Sequence, residues 1–78
     1  MIKVLQITGF RKGKDKFENE QYIIDGLDMT VQQNYHGWPM KRTYVRCDRI
    51  KELSDDDIQK ALYVEYNERG SIIKTEVK

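Results

Sequence analysis

The residues best suited to chemistry lie in one alternating stretch. Arg42, Tyr44 and Arg46 stand two positions apart within Lys41-Arg42-Thr43-Tyr44-Val45-Arg46-Cys47-Asp48-Arg49-Ile50-Lys51. On a β-strand such residues share one face, about 7 Å apart. Two cations flanking an aromatic ring can hold phosphates while a base stacks on the ring. Thr43, Val45 and Cys47 take the opposite phase and suit a core. A second cationic group, Arg11, Lys12, Lys14 and Lys16, would extend a phosphate track. The same residue types also make an ordinary solubilising loop. Binding by charge and stacking alone would be weakly sequence-selective and strongly salt-dependent.

Other chemistry has less to stand on. His36 is the single histidine and Cys47 the single cysteine, so no zinc-ligand spacing exists. Cys47 falls in the core phase, where a thiol is normally inert. Asp55, Asp56 and Asp57 are adjacent acids without the spacing or glycine of a calcium loop. Ser54 before them, with Asp57 three positions on, reads instead as a helix cap. There is no glycine-rich phosphate motif and no nucleophile paired with a base. The expectation is a protein that is not an enzyme and carries neither cofactor nor metal.

Composition sets the scale. Seventy-eight residues, 38% apolar and 35% charged, suit one small domain spanning 1–78 whose core gains from self-association. The net charge of +1 hides a pattern. Residues 1–16 hold five basic groups and one acid; residues 17–40 hold four acids and no Lys or Arg. Residues 41–51 hold five basic groups and one acid; residues 52–57 hold four acids. If the two basic blocks share a face, the chain carries a positive patch despite its near-neutral total. No apolar run has membrane length. Lys3, Gln6 and Thr8 interrupt the first apolar residues, so a cleaved leader is not expected. One cysteine cannot form an internal disulfide, and the cytoplasm is the expected compartment.

These residues need elements to position them. Met1 to Phe10 reads as a first strand. Ile2 and Val4 share one phase and Leu5 and Ile7 the other, which predicts a bulge. Arg11 to Lys16, with Gly13 at its centre, reads as a loop, and Phe17 after it as an anchor to the core or, less favoured, a platform for a base. Tyr22 to Val31 is a second strand. Ile23, Leu27, Met29 and Val31 keep one phase, with Asp25 the exception set at a bend. Tyr22, Ile24 and Gly26 keep the other, and Gly26 marks a bend or close backbone approach. Gln32 to Met40 is an excursion. Its Tyr35 and Trp38, with Met40, are candidates for self-association, and a homodimer is expected. Ser54 to Leu62 predicts a helix of about two turns. Tyr63 to Tyr66 and Ile72 to Val77 form a hairpin across Asn67-Glu68-Arg69-Gly70.

The predicted order is β-β-β-α-β-β, an all-β chain with one short helix and the element order of a five-stranded OB-like barrel. In that architecture strands two and three and the first and last hairpin loops form the binding surface. Here these are Tyr22–Val31, Arg42–Asp48, Arg11–Lys16 and Asn67–Gly70. The candidate binding residues are therefore Arg11, Lys12, Lys14, Lys16, Tyr22, Arg42, Tyr44 and Arg46. An SH3-like barrel or a sheet with one covering helix are the alternative frames.

Three segments carry a resemblance: Ile7-Thr8-Gly9-Phe10 with its basic continuation, Lys41-Arg42-Thr43-Tyr44-Val45, and Val64-Glu65-Tyr66-Asn67-Glu68-Arg69-Gly70-Ser71-Ile72. Together they resemble small OB-fold proteins of Gram-positive phages and mobile elements. The layout is similar to that of filamentous-phage helix-destabilising proteins. The resemblance implies sequence-tolerant binding of single-stranded DNA, often by a dimer; the residues themselves do not separate DNA from RNA. The acidic Asp55-Asp56-Asp57 segment and the near-neutral charge depart from a strongly basic binder. The alternative function is a protein-interaction or assembly module that does not bind nucleic acid.

Overall fold

A computed structural model describes residues 1–30 and 34–78. The strands are β1 (Ile2–Lys14), β2 (Glu20–Asp28), β3 (Met40–Arg46), β4 (Ala61–Tyr66) and β5 (Ile72–Val77). They form one antiparallel sheet in the order β3-β2-β1-β4-β5. Val31, expected to end the second strand, lies outside the described residues, as do Gln32 and Gln33 at the start of the predicted excursion.

β1 is the strand on which the others are built. Its first half pairs with β4 and most of its length pairs with β2. Thr8 is an extra residue between Ile7 and Gly9, and the register to β2 shifts there. An inserted residue bends a strand and increases its twist, which lets β1 serve two differently directed neighbours. The bulge was expected from the change of phase between Val4 and Leu5, but the pairing with β4 runs unbroken through both. Val4 and Ile2 simply occupy the face opposite Leu5 and Ile7, beside Tyr63 and Glu65.

Leu5, Ile7, Ile24, Leu62 and Val64 have no exposure, and Val45, Tyr22 and Leu53 complete the buried cluster. On β2 the core phase is therefore Tyr22, Ile24, Gly26 and Asp28. Ile23, Asp25 and Leu27 belong to the outer face. Asp25 lies outside the core, facing outward opposite Arg42, and pairs with Gly9 where the β1 bulge shifts the register. Gly26 is where two backbones come close: a β-carbon there would lie 2.7 Å from the Gln6 carbonyl oxygen.

The basic segment is not a loop. β1 runs on to Lys14, and Asp15 to Asn19 make the turn. The Asp15 carboxylate accepts hydrogen bonds from the Phe17 and Asn19 amides at 2.8 and 2.9 Å. Glu18 takes φ 65°. Phe17 anchors nothing; it is largely exposed, with the Lys16 ammonium 5.2 Å from its ring.

The predicted helix reduces to one 3-10 turn, Asp55–Asp57. Its start is as expected: the Ser54 amide donates to Asp57 Oδ2 at 2.9 Å. Its continuation loses to the sheet. Gln59 N donates to Ile7 O and Ile7 N donates to Lys60 O, with Gln59 at φ 77°. Leu62, placed by sequence at the helix end, is a core residue of β4. A second 3-10 turn, Cys47–Arg49, follows β3, and half-buried Cys47 packs against the core.

The sheet does not close, since β3 and β5 share no ladder. Their edges approach through the Cys47–Arg49 turn. Thr75 Oγ1 donates to the Arg49 carbonyl at 2.6 Å, and Arg49 Nη1 reaches the Ile72 carbonyl at 3.5 Å. The fold is thus a five-stranded antiparallel sheet with almost no helix. No helix among the described residues is long and apolar enough to cross a membrane.

Candidate nucleic-acid interface

The antiparallel register of β1, β2 and β3 sets side chains in rows across the outer face. One row is Arg11, Ile23 and Tyr44. The next toward the β1–β2 turn is Gly13, Gln21 and Arg46. On the other side comes Gly9, Asp25 and Arg42. Tyr44 is 55% exposed, while Ile23 beside it is only 8% exposed. Gly9 and Gly13 leave β1 without bulk on this face, and Ile23 Cδ1 fills part of the space over Gly13. The result is an apolar floor at Ile23, an exposed phenol at Tyr44, and arginines in its own row and the rows on either side.

Those guanidinium groups are not equally available. Arg42 Nε and Nη2 donate to the two Asp25 carboxylate oxygens at 2.8 and 3.3 Å. That fork lowers the Asp25 pKa, with the Arg42 hydrogen bonds as the main cause and the Arg11 charge adding to it. It raises Arg42 from its ordinary value, with Asp25 first among the causes and Tyr44 contributing. Arg46 lies 3.8 Å from Asp15, a loose contact. The Asp15 pKa is lowered chiefly by the Asn19 amide, then by Phe17 N–H, the Asn19 side chain and Arg46, against some desolvation. Arg11 and Arg49 form no ion pair among the described residues.

Beyond the β3 edge the face falls into a groove of about 380 Å³, lined by Tyr44, Val45, Arg46, Arg49, Gly70, Ser71 and Ile72. One wall is β3 and its 3-10 turn; the other is the β4–β5 hairpin. Gly70 closes that hairpin at φ 83°, as its place in the turn requires. Asn67 Oδ1 accepts from the Arg69 and Ser71 amides, which fixes the turn. The groove is open to solvent.

The structure divides the residues proposed from sequence. Arg11, Arg42, Tyr44 and Arg46 share the outer face. Lys12 and Lys14 alternate to the other side, opposite Tyr22 and Glu20, and the Lys12 ammonium sits 5.5 Å from the Tyr22 ring centre. Lys16 lies in the turn. Tyr22 is 2% exposed and is a core residue, not a stacking platform. Its ring meets Phe10 edge-on, and its hydroxyl accepts a hydrogen bond from the buried Leu53 amide at 3.1 Å. A tyrosine with its tip satisfied in this way is a packing element.

Arg49 and Ser71 were missed. Arg49 stands beyond the strand, where alternation no longer predicts direction, and only the 3-10 turn swings it toward the hairpin. Tyr35, Trp38 and Met40 are all exposed, Met40 opening β3 opposite Leu27. No group of three or more metal-ligating side chains occurs among the described residues. Set against known protein families, curated proteins and solved structures, the chain gives no match.

Proposed function

We propose that this chain binds single-stranded nucleic acid, with little sequence preference, across the outer face of β1, β2 and β3 and the adjoining groove. The observation that carries the reading is the row Arg11–Ile23–Tyr44, bordered by Arg46 and Arg49. A base stacks on Tyr44 over the Ile23 floor, and the guanidinium groups track the phosphates on either side. Arginine suits both tasks, since its planar fork matches a phosphate and its face stacks on a base. Binding by stacking and phosphate contacts alone gives weak selectivity among bases.

The frame supports the same reading. The strand order β3-β2-β1-β4-β5, with β1 shared and bent at a bulge, is the order of an OB barrel opened between strands three and five. The reading therefore takes in the resemblance to small OB-fold proteins of phages and mobile elements, and single-stranded DNA as first ligand.

The test is a fluorescence titration of labelled oligo-dT at two salt concentrations. Tyr44→Ala with Arg46→Ala is expected to weaken binding by about 1–3 kcal/mol for the lost stacking, with further loss from the charge. The salt slope should fall by about 0.7 for each phosphate contact removed. Unchanged affinity at low salt sinks the site.

A second reading rests on exposed Tyr35, Trp38 and Met40. Aromatic residues and Met are enriched in protein interfaces. Through them a second copy, or a protein partner, would dock without nucleic acid. Light scattering on the samples used for titration separates the readings. A self-associating protein indifferent to oligo-dT favours the second.

A further inference from the structure

Among the outward residues of β2, namely Gln21, Ile23, Asp25 and Leu27, one is acidic. Asp25 stands in the row of Arg42, next to the row of Arg11 and Tyr44. Arg11 approaches from β1 on one side and Arg42 from β3 on the other, while Gly9 opposite brings no side chain. Both partners of the Asp25–Arg42 fork are well exposed, at 39% and 51% of their side chains. The guanidinium offers its parallel N–H pair to a carboxylate in the geometry it would offer a phosphate.

We propose that Asp25 is an internal stand-in for a nucleic-acid phosphate: it occupies Arg42 in the free protein, and a phosphate of the bound strand displaces it. This rests on the reading of the face given above and adds a means of regulating it. An exposed ion pair is weak and screened by salt, so the exchange meets little resistance. After exchange the Asp25 carboxylate has lost its fork and lies beside a phosphodiester of like charge. Affinity is held below what the same cations would give without it. The Asp25 pKa, lowered in the free protein chiefly by Arg42, rises in the complex, where Arg11 and the phosphate are the charges left to face it.

The experiment uses the full chain with oligo-dT, and the variants Asp25→Asn and Arg42→Gln. Asp25→Asn keeps shape and removes charge; it is expected to bind three- to tenfold tighter, with the salt slope of the wild type. Arg42→Gln is expected to bind more weakly, with the slope reduced by about 0.7, the value of one single-strand phosphate contact. Suppose instead that Asp25 keeps Arg42 in the complex. Then Arg42→Gln leaves the slope unchanged, Asp25→Asn steepens it, and the proposal is overturned. The wild type supplies an independent check by carboxyl NMR titration of Asp25. An upward pKa shift on adding oligo-dT supports exchange; an unmoved pKa overturns it. Dependence of binding on Tyr44 and Arg46 without any response at Asp25 defeats the exchange alone. No binding of oligo-dT by the wild type defeats both the exchange and the interface.

Discussion

Asp57 is a carboxylate with no exposed surface, and its neighbours keep it charged. The Ser54 amide, the Lys51 ammonium at 2.9 Å and the Lys60 ammonium at 3.3 Å converge on it. Burial opposes the charge, but these donors outweigh it and lower the pKa from 3.8 to about 2. A group whose folded pKa lies below its unfolded value stabilises the fold fully above the unfolded pKa. That contribution is lost as pH falls through the folded pKa. Asp15, Asp25 and Asp28 shift in the same direction. Stability to urea is therefore expected to be flat above about pH 5 and to fall between about pH 4 and pH 2. Asp57→Asn should lower Tm at neutral pH by roughly 5 °C or more and flatten part of the acid limb. An acid limb identical to that of the wild type would show that Asp57 does not anchor the turn.

At the scale of the element, β2 depends on a glycine. A β-carbon at Gly26 would press on the Gln6 carbonyl, its carbon at 3.2 Å and Leu5 Cβ at 3.2 Å, where β1 approaches its bulge. None of these atoms is the free end of a flexible side chain. Gly26→Ala is expected to cost about 1–3 kcal/mol by forcing β1 and β2 apart. Gly9→Ala, with nothing within 4 Å, is the matched control and should change little. Thermal denaturation of the two variants checks the contrast.

Gly26 was legible in the sequence because a glycine inside a strand has few other reasons to be there. β3 was legible because only one of its phases is apolar: Thr43 and Val45 point in and Arg42, Tyr44 and Arg46 point out, as alternation predicts. β2 was not, because Ile23 and Leu27 compete with Tyr22 and Ile24. Which set is buried is decided by the neighbouring strands. The same ambiguity concealed the burial of Tyr22. The far half of β1 carries glycines and cations with little apolar signal, so its pairing with β2 had no local trace. Ser54 and Asp57 mark where a helical turn begins but say nothing of its length. Backbone pairing of Gln59 and Lys60 with Ile7 sets that.

At the scale of the molecule, β1 makes two three-stranded halves share one strand, and the groove lies where their free edges face each other. Tyr44 and Arg46 come from one half; Gly70, Ser71 and Ile72 come from the other. Between the edges, among the described residues, the polar ties are those of Arg49, whose carbonyl accepts from Thr75 Oγ1 and whose guanidinium reaches the Ile72 carbonyl. Thr75→Val keeps the β-branched shape and removes the hydroxyl. It should cost about 0.5–1.5 kcal/mol, the usual net worth of one such bond. The functional consequence is separate from that cost. If ligand binding needs both walls, loosening the Arg49 turn from β5, with the weaker Ile72 contact left, widens the groove and lowers oligo-dT affinity about two- to fivefold while the core stays intact. Hydrogen exchange should then quicken at the edge amides of β5 and in the Cys47–Arg49 turn, with β1 and β2 unchanged. Loss of stability with unaltered affinity would confine the binding surface to the β1–β2–β3 face and remove the hairpin from it.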